Sequence, residues 1–478
     1  MSMDSVEYDV LVVGAGTAGI PCAVEAALAG ARVLLVEKDA RIGGTLHISG
    51  GHMSAAGTRR QRAKGITDTP ERHHEDIRRI SNGTAREDIV QRAVTLAPQT
   101  IDWLEDHGFD FAPETPVLMH EHEPYSVPRT YYGRDEGLSI LRVLTRLLDE
   151  VPADAVELRT STALTALHAD DSGRVTGATV TGFSGDQHVR TGTVVLATGG
   201  FASEPELFEE VEGVPLVSAA RPTSTGDGLL IARELGAGLA GVGRYLPTFG
   251  GMPDARNHQR TNLTERSSFF VSERAPYEVY VDRAGRRFVA EDHPSIDAKE
   301  RALLATEQMT FWMVLDDVAR RESNPPVVSG WSPEDLKDRA GKHPAVHSAD
   351  DLTTLAELAG IDPEGLEASV TEYNAALADG RPDPLGRTIR PAPIQEPPFF
   401  ALRNHGITLL TFAGLAVDAD LAVCRPDGQV IPGLYAVGEI IGNAATAGNS
   451  FCGGMSVTPA ISLGRWLGRR VGAFTHPG

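Results

Sequence analysis

Three cysteines in 478 residues, Cys22, Cys424 and Cys452, are too few and too scattered for a disulfide framework or a thiolate metal centre. No CxxCH motif and no cysteine cluster offers haem or an iron–sulfur cofactor a place on this chain. No apolar run reaches about 18 residues, so no segment is expected to span a membrane. Basic residues are in deficit: Lys and Arg number 44 against 65 Asp and Glu, a formal charge of −21. A surface that acidic repels nucleic acid and anionic lipid, and neither is expected as a partner. The first residues show no basic stretch leading to a cleavage site, so no secretion signal is visible and a reducing cytoplasm is the expected compartment. Internal repeats and low-complexity tracts are also missing. What remains is ordinary globular composition, 41% apolar and 23% charged. At roughly 100–200 residues per domain this length predicts two or three structural units.

Residues 8–13 form a short valine-rich apolar run, as in a buried parallel strand, and run directly into Gly14-Ala-Gly16-Thr-Ala-Gly19. An alanine-rich amphipathic stretch follows and stops at Gly30, which suits a helix C-cap. A second valine-rich strand over residues 32–36 ends in Glu37. The spacing predicts a βαβ unit that binds a dinucleotide. Gly14 permits the tight turn, Gly16 the approach of a pyrophosphate, and Gly19 the close packing of helix on strand. The phosphates would sit on N–H groups at the helix start, including that of Ala18, and Glu37 would accept from a ribose hydroxyl with Lys38 beside it.

The next segment selects the dinucleotide. Gly43-Gly44-Thr45 and Ser49-Gly50-Gly51 supply a second backbone cradle just after the ribose-binding acid. A nicotinamide protein has no use for one there; FAD, whose ring lies extended along the sheet, does. Further along, helices are expected at 69–108 and 134–150, strands at 156–167, 174–182 and 193–197, and helices near 296–308, 332–341, 350–359, 362–379 and 458–471. The fold class predicted is α/β: a Rossmann-like FAD-binding domain from residues 1–240 and 402–478, with an inserted α+β capping domain for the substrate at 241–401.

The chain resembles the flavoprotein superfamily of fumarate reductases and ketosteroid dehydrogenases. The landmarks are GAGTAG (14–19), IGGT (42–45), SGG (49–51), LATGGF (196–201), TGDG (225–228), GRRFVAE (285–291), PPFFAL (397–402), TFAGLAVD (411–418) and IPGLYAVGE (431–439), followed by Gly453-Gly454-Met455-Ser456-Val457. The resemblance implies FAD held by both chain ends, with Ala197, Thr198, Gly199, Asp227, Gly438, Glu439, Ser456 and Val457 among its contacts. Glu439 would bond the ribityl or ribose region, and Asp227 the adenosine side or its own turn. Covalent relatives carry the flavin on a histidine at the position of Gly44, so a noncovalent cofactor is expected; His47 and His52 fall out of register and read as ordinary surface or core histidines. Thr458 is expected to cap the last helix, with Pro459 in its first turn and the helix's positive end toward the flavin.

At the reacting end the resemblance implies residues this chain lacks. The HPT motif of fumarate reductases reads Leu246-Pro-Thr248, the histidine before the TMGGL-like motif is Leu410, and the clamping arginine is Phe451. The proton donor, arginine or tyrosine in the two groups, is Ser295. Leu246, Phe249, Leu410, Phe412 and Phe451 would leave an apolar pocket, in which an unpaired dicarboxylate is costly. A largely hydrophobic carbonyl compound is expected instead. Proton transfer is sought among Tyr125, Tyr131, Tyr132, Arg129, Tyr245, His293, Ser295 and Arg301. Tyr131 or Tyr132 is preferred, its pKa lowered by Arg129 or Arg134, and His293 is the substitute donor. The N–H groups of Gly454 and Met455 would hold the carbonyl oxygen.

Three functions follow. The first is desaturation next to a ketone, with oxygen or a quinone-like acceptor reoxidising the flavin. The second is the reverse reaction, an ene-reductase fed by an external donor. The third is a flavin-binding protein without catalysis. No metal is expected in any of them.

Overall fold

The structure is a computed structural model and describes residues 6–120, 122–267 and 269–473. Its central sheet is built from β1 (Val10–Val13), β2 (Val33–Val36), β3 (Val156–Arg159), β4 (Val194–Leu196), β5 (Ala422–Cys424) and β6 (Val430–Ala436), in the spatial order β5-β6-β4-β1-β2-β3. All neighbours are parallel except β5 against β6. Every residue of β1, β2 and β4 is buried, which is why these strands are unbroken apolar runs: a parallel sheet is covered on both faces.

The βαβ unit forms as its glycines require. Gly14 takes a positive φ of 102° and donates to Val36 O at 2.7 Å. A Cβ on Gly19 would lie 1.8 Å from Gly14 O, so only glycine lets α1 (Gly19–Leu28) start against the strand end. The last helix, α2 (Val457–Ala473), lies along α1. Cβ atoms on Gly464, Gly468 and Gly472 would stand 2.5, 2.3 and 2.6 Å from the carbonyl oxygens of Ala18, Cys22 and Ala26. Spaced by four, these glycines share one face and bring two backbones together. Glu25 of α1 accepts from Arg465 and Arg469 of α2, each at 2.7 Å. This seam packs the two chain ends against each other as one unit.

A four-stranded sheet flanks that unit, in the order Val6–Glu7, Gly185–Arg190, Val175–Gly182, Ala163–Ala169; the last three form an antiparallel meander, and Val6–Glu7 joins it in parallel. The strand expected at 156–167 is therefore two, because Val156–Arg159 joins the central sheet and Ala163–Ala169 the meander. The helix expected at 69–108 is also two, Pro70–Ile80 and Glu87–Asp106, broken where Asn82 and Gly83 take positive φ. The inserted segment contributes an antiparallel sheet in the order Val279–Val281, Thr310–Leu315, Phe399–His405, Val346–Ala349. Helices Ile296–Leu304, Pro333–Arg339, Leu352–Ala359 and Pro363–Ala378 accompany it. The expected boundary between residues 401 and 402 falls inside the strand Phe399–His405, which pairs as one unit with Thr310–Leu315. Glu291 of GRRFVAE is fully buried and takes Arg287 at 2.6 Å and Arg387 at 3.1 Å, so this motif fixes the loop leading to helix Ile296–Leu304.

Candidate active site

A cavity of about 480 Å³ runs between the two chain ends and under the inserted lobe. Its inner part is bounded by Gly14, Gly16, Ala18, Glu37, Lys38, Gly44, Thr45, Ser49 and Gly50 from the N-terminal side. Ala197, Thr198, Gly199 and Asp227 bound it from the middle, and Gly438, Glu439, Ser456 and Val457 from the C-terminal side. Gly19, Gly43 and Gly51 act behind the wall. Gly19 seats the helix, while a Cβ on Gly43 would meet Leu141 at 2.6 Å and one on Gly51 the Glu136 backbone at 2.6 Å.

The polar groups of this inner part are held in place. Glu37 accepts from Ala15 N and Asp39 N, both at 2.9 Å, which fixes it under the glycine turn. Lys38 reaches Asp227 at 2.8 Å; burial opposes ionisation of that carboxyl, but Lys38 and Thr225 outweigh it and hold its pKa below the ordinary value. Burial pushes Glu439 up to about 6, against the N–H and hydroxyl of Thr411 at 3.0 and 3.3 Å.

The wall fits a dinucleotide. The Cβ positions of Gly16 and Gly199 meet nothing within 4 Å, so their backbones face open space, and the buried Thr198 hydroxyl has no hydrogen-bond partner. Helix α2 begins at Val457, and Val457, Pro459 and Ala460 bound the cavity. Thr458 is not its cap: it lies in the first turn and its hydroxyl accepts from Ser54 N at 2.8 Å.

The outer part departs from several expectations. Leu410, Phe451, Gly454 and Met455 bound the cavity, joined by Leu263, His52, His122 and Arg266. Leu246, Phe249 and Phe412 do not. Phe249 packs in an aromatic core with Phe269 and Phe311 at 5.1 and 4.8 Å, and Phe412 stands behind Phe451 at 5.3 Å. Leu246 is buried. Met455 N already donates to Cys452 O at 3.0 Å, so of the two expected donors to a carbonyl oxygen it is committed to its own turn.

The tyrosines lie elsewhere. Tyr131 is fully buried with its hydroxyl 2.6 Å from Thr58, and burial raises its pKa, the reverse of what a base needs. Arg129, expected to lower it, is spent on Asp68 at 2.9 Å and Asp76 at 2.7 Å. Tyr132 donates to Glu114 at 2.9 Å and does not bound the cavity. Ser295 caps helix Ile296–Leu304, accepting from Ala298 N at 3.1 Å and donating to Glu123. His293 accepts from Ser295 N at 3.1 Å. Both stand outside the cavity wall. Tyr125 and Tyr245 are likewise committed, to Gly453 O at 2.6 Å and Thr408 at 2.7 Å, and Arg301 to Ser450 at 2.7 Å.

Sequence reasoning missed three polar groups that reach the outer cavity, His52, His122 and Arg266. His52 faces it rather than the core, edge-on to Tyr132 at 5.6 Å. His122 lies against Phe451 at 4.8 Å with the rings 24° apart, and Arg266 is anchored by the carbonyls of Phe249 and Gly250 at 2.7 and 2.9 Å. The run of His and Glu at 120–123 was the available signal for His122; nothing local marked Arg266.

The cavity is shared by both chain ends and opens on a lined pocket, and the chain is a flavin-dependent oxidoreductase acting on CH–CH groups. The family model for the FAD binding domain matches residues 9–456, and the chain belongs to that family, within the superfamily of fumarate reductases and 3-ketosteroid dehydrogenases. It is 29% identical over 473 residues to the fumarate reductase (cytochrome) of Shewanella frigidimarina, covering 98% of this chain and 77% of that protein. It is 28% identical over 551 residues to the 4-oxocyclohexanecarboxylate 2-dehydrogenase of Sinomonas cyclohexanicum, covering 97% and 92%. The fold matches the 3-ketosteroid Δ1-dehydrogenase of Sterolibacterium denitrificans with a TM-score of 0.80 at 21% identity, over 98% of this chain and 100% of that one. Among the described residues no helix is long and apolar enough to cross a membrane.

Proposed function

We propose that this protein desaturates a hydrophobic carbonyl compound bearing at most one negative charge, using noncovalently bound FAD. The observation that carries the reading is the outer cavity: Leu263, Leu410, Phe451 and Met455 line it, and among the described residues around the cavity Arg266 is the single guanidinium. A dicarboxylate would leave one charge unpaired there, and an uncompensated buried charge costs several kcal/mol. A relative named for a substrate with one ketone and one carboxylate agrees with that balance.

FAD bound in the cradle would supply the hydride acceptor, and an external oxidant, oxygen or quinone-like, would reoxidise it. The chain's own part is positional. Gly14, Gly16 and Gly44 let backbone approach the dinucleotide, and Glu37 and Lys38 are pre-set by their hydrogen bonds. The first turn of α2, which bounds the cavity, would offer partial positive charge to a reduced flavin bound there. Leu410 and Phe451 keep water from the reacting carbons, and Arg266 and the Gly454 backbone orient the carbonyl or the single acid. Gly44, where covalent relatives carry histidine, leaves the flavin unattached.

The similarity to fumarate reductase favours a second reading, the same chemistry in reverse. Anaerobic mixing decides between them. Saturated cyclic ketones are expected to bleach the yellow enzyme. Bleaching by dithionite alone, followed by recolouring with an enone, would replace desaturation with reduction.

A further inference from the structure

Behind the outer wall lies a set of groups that the cofactor cradle does not use. His122, Asp297 and Glu300 bring ligating nitrogen and carboxylate oxygen atoms within 4.8 Å of one another. The two acids are three apart on helix Ile296–Leu304 and share one face. Asp297 is 5% exposed and Glu300 fully buried. Both oxygens of Asp297, Oε2 of Glu300 and Nδ1 of His122 have no hydrogen-bond partner. Buried polar atoms are seldom left so; Glu300 has Phe249 N at 3.2 Å on its other oxygen and Asp297 has the Ser450 hydroxyl nearby, yet the open atoms of the three groups face one another and mark a place where protons are exchanged or a ligand is taken. Only His122 of the three bounds the cavity.

We propose that His122 takes the α-proton of the substrate and that Asp297, with Glu300 beside it, receives that proton in turn. The proposal rests on the desaturation reading. The α C–H bond breaks, its proton goes to an imidazole nitrogen, and its electron pair forms the new C=C bond as the β-hydrogen leaves as hydride to the flavin. The imidazolium then passes a proton from its other nitrogen to the Asp297 carboxylate. Phe451, stacked on the ring, fixes the plane of the imidazole. Glu123 and Ser295 give the pair a way out: Ser295 caps the acids' helix and bonds Glu123, which bounds a small second cavity together with His122 and His52.

The charges around the cluster set its direction. Burial, with Arg266 and His52 adding to it, pushes His122 down to about 4, so the imidazole is neutral at neutral pH, a weak base that passes its proton on readily. Burial and Glu123 push Asp297 up to about 6, with Ser450 and Arg301 opposing. Burial and Asp297 hold Glu300 well above the ordinary carboxyl range, against Phe249 N, Arg266 and Lys299. At neutral pH Asp297 is therefore mostly an ionised acceptor, with Glu300 disposed toward its protonated form beside it. As pH falls through about 6, Asp297 fills and the relay has no place for a proton.

The test uses holoenzyme of wild type, His122→Gln and Asp297→Asn, each confirmed yellow. His122→Gln is expected to slow anaerobic bleaching by a cyclic ketone on the order of 100-fold or more, and to slow α-hydrogen exchange of the ketone in D2O with it. Asp297→Asn is expected to abolish the fall in wild-type rate on the acid side of pH 6. Independently of turnover, the infrared band of protonated carboxyls titrating near pH 6 should lose one component in Asp297→Asn, that of Glu439 remaining. The histidine NMR titration of His122 should move in the same variant. Bleaching of His122→Gln at the wild-type rate, an unchanged acid limb in Asp297→Asn, or a stoichiometric divalent cation whose removal by chelator stops turnover would overturn the relay. If no ketone bleaches wild type, the desaturation reading fails, while the infrared and NMR titrations still decide whether the three groups exchange a proton.

Discussion

Gly468→Ala isolates the contact that unites the two chain ends. An alanine here gains about 1 kcal/mol of helix propensity over glycine. Against that, its Cβ would lie 2.3 Å from Cys22 O and 3.0 Å from Cys22 C and Cα. All are backbone atoms of α1, so no side chain can swing aside. Overpacking of this kind costs about 1–3 kcal/mol, and with Gly464 and Gly472 making the same approach the helices cannot separate at one point alone. A 2.3 Å approach to backbone puts that cost in the upper part of the range, about 2–3 kcal/mol, so the net expectation is a loss of about 1–2 kcal/mol. Gly192→Ala is the control, because its Cβ meets nothing within 4 Å and the change removes only unfolded-state freedom. Urea midpoints should be measured with FAD in fixed excess, since bound cofactor shifts them by mass action. A Gly468→Ala protein as stable as wild type, or as much stabilised as Gly192→Ala, would refute close backbone packing between the first and last helices.

Gly16→Val should fold normally, because its Cβ points into open cavity space, yet purify colourless; a yellow variant would remove Gly16 from the cofactor wall. Tyr131→Phe should keep its flavin and bleach at the wild-type rate, losing about 1 kcal/mol with the Thr58 hydrogen bond; a large fall in bleaching rate would restore Tyr131 as base. Glu25→Gln should matter most near neutral pH. Burial opposes ionisation of Glu25, but Arg469 and Arg465 outweigh it and lower its pKa from the usual 4.5. Its stabilisation is thus full above that value and lost as pH falls through the lower native one, so the midpoints of wild type and variant should converge in acid. Parallel curves down to the acid limit would count against the ion pair.

The inner site was legible in the sequence because there the backbone does the recognising. Gly14 and Gly19 are dictated by local sterics, Glu37 by the end of a strand, and Gly44 and Gly199 by positive φ at the cavity wall, while Gly16 faces open cavity space, all visible at fixed spacing. Helix breaks and strand splits were less legible: Asn82-Gly83 interrupts a continuous apolar period, and residues 156–169 divide between two sheets that only long-range pairing distinguishes. The outer site was least legible. Tyr131 and Tyr132 look like a pocket loop in composition, but Tyr131 pairs with Met53 in a two-stranded sheet and turns inward, while Tyr132 finds Glu114. Phe249 and Phe412 are apolar enough for a pocket and are claimed by aromatic cores instead. His122 and Arg266 reach the cavity from irregular segments with no periodicity to announce a face, and Asp297 and Glu300 look like the polar side of a surface helix until the helix is seen to be buried there.

The claim on which the function turns is that the outer cavity holds a hydrophobic carbonyl compound with no more than one charge. It is tested most directly by anaerobic stopped-flow bleaching of one yellow preparation with a cyclic ketone monocarboxylate, a neutral cyclic ketone and succinate. Bleaching by the ketones with succinate inert is the predicted result; bleaching by succinate with both ketones inert would contradict it.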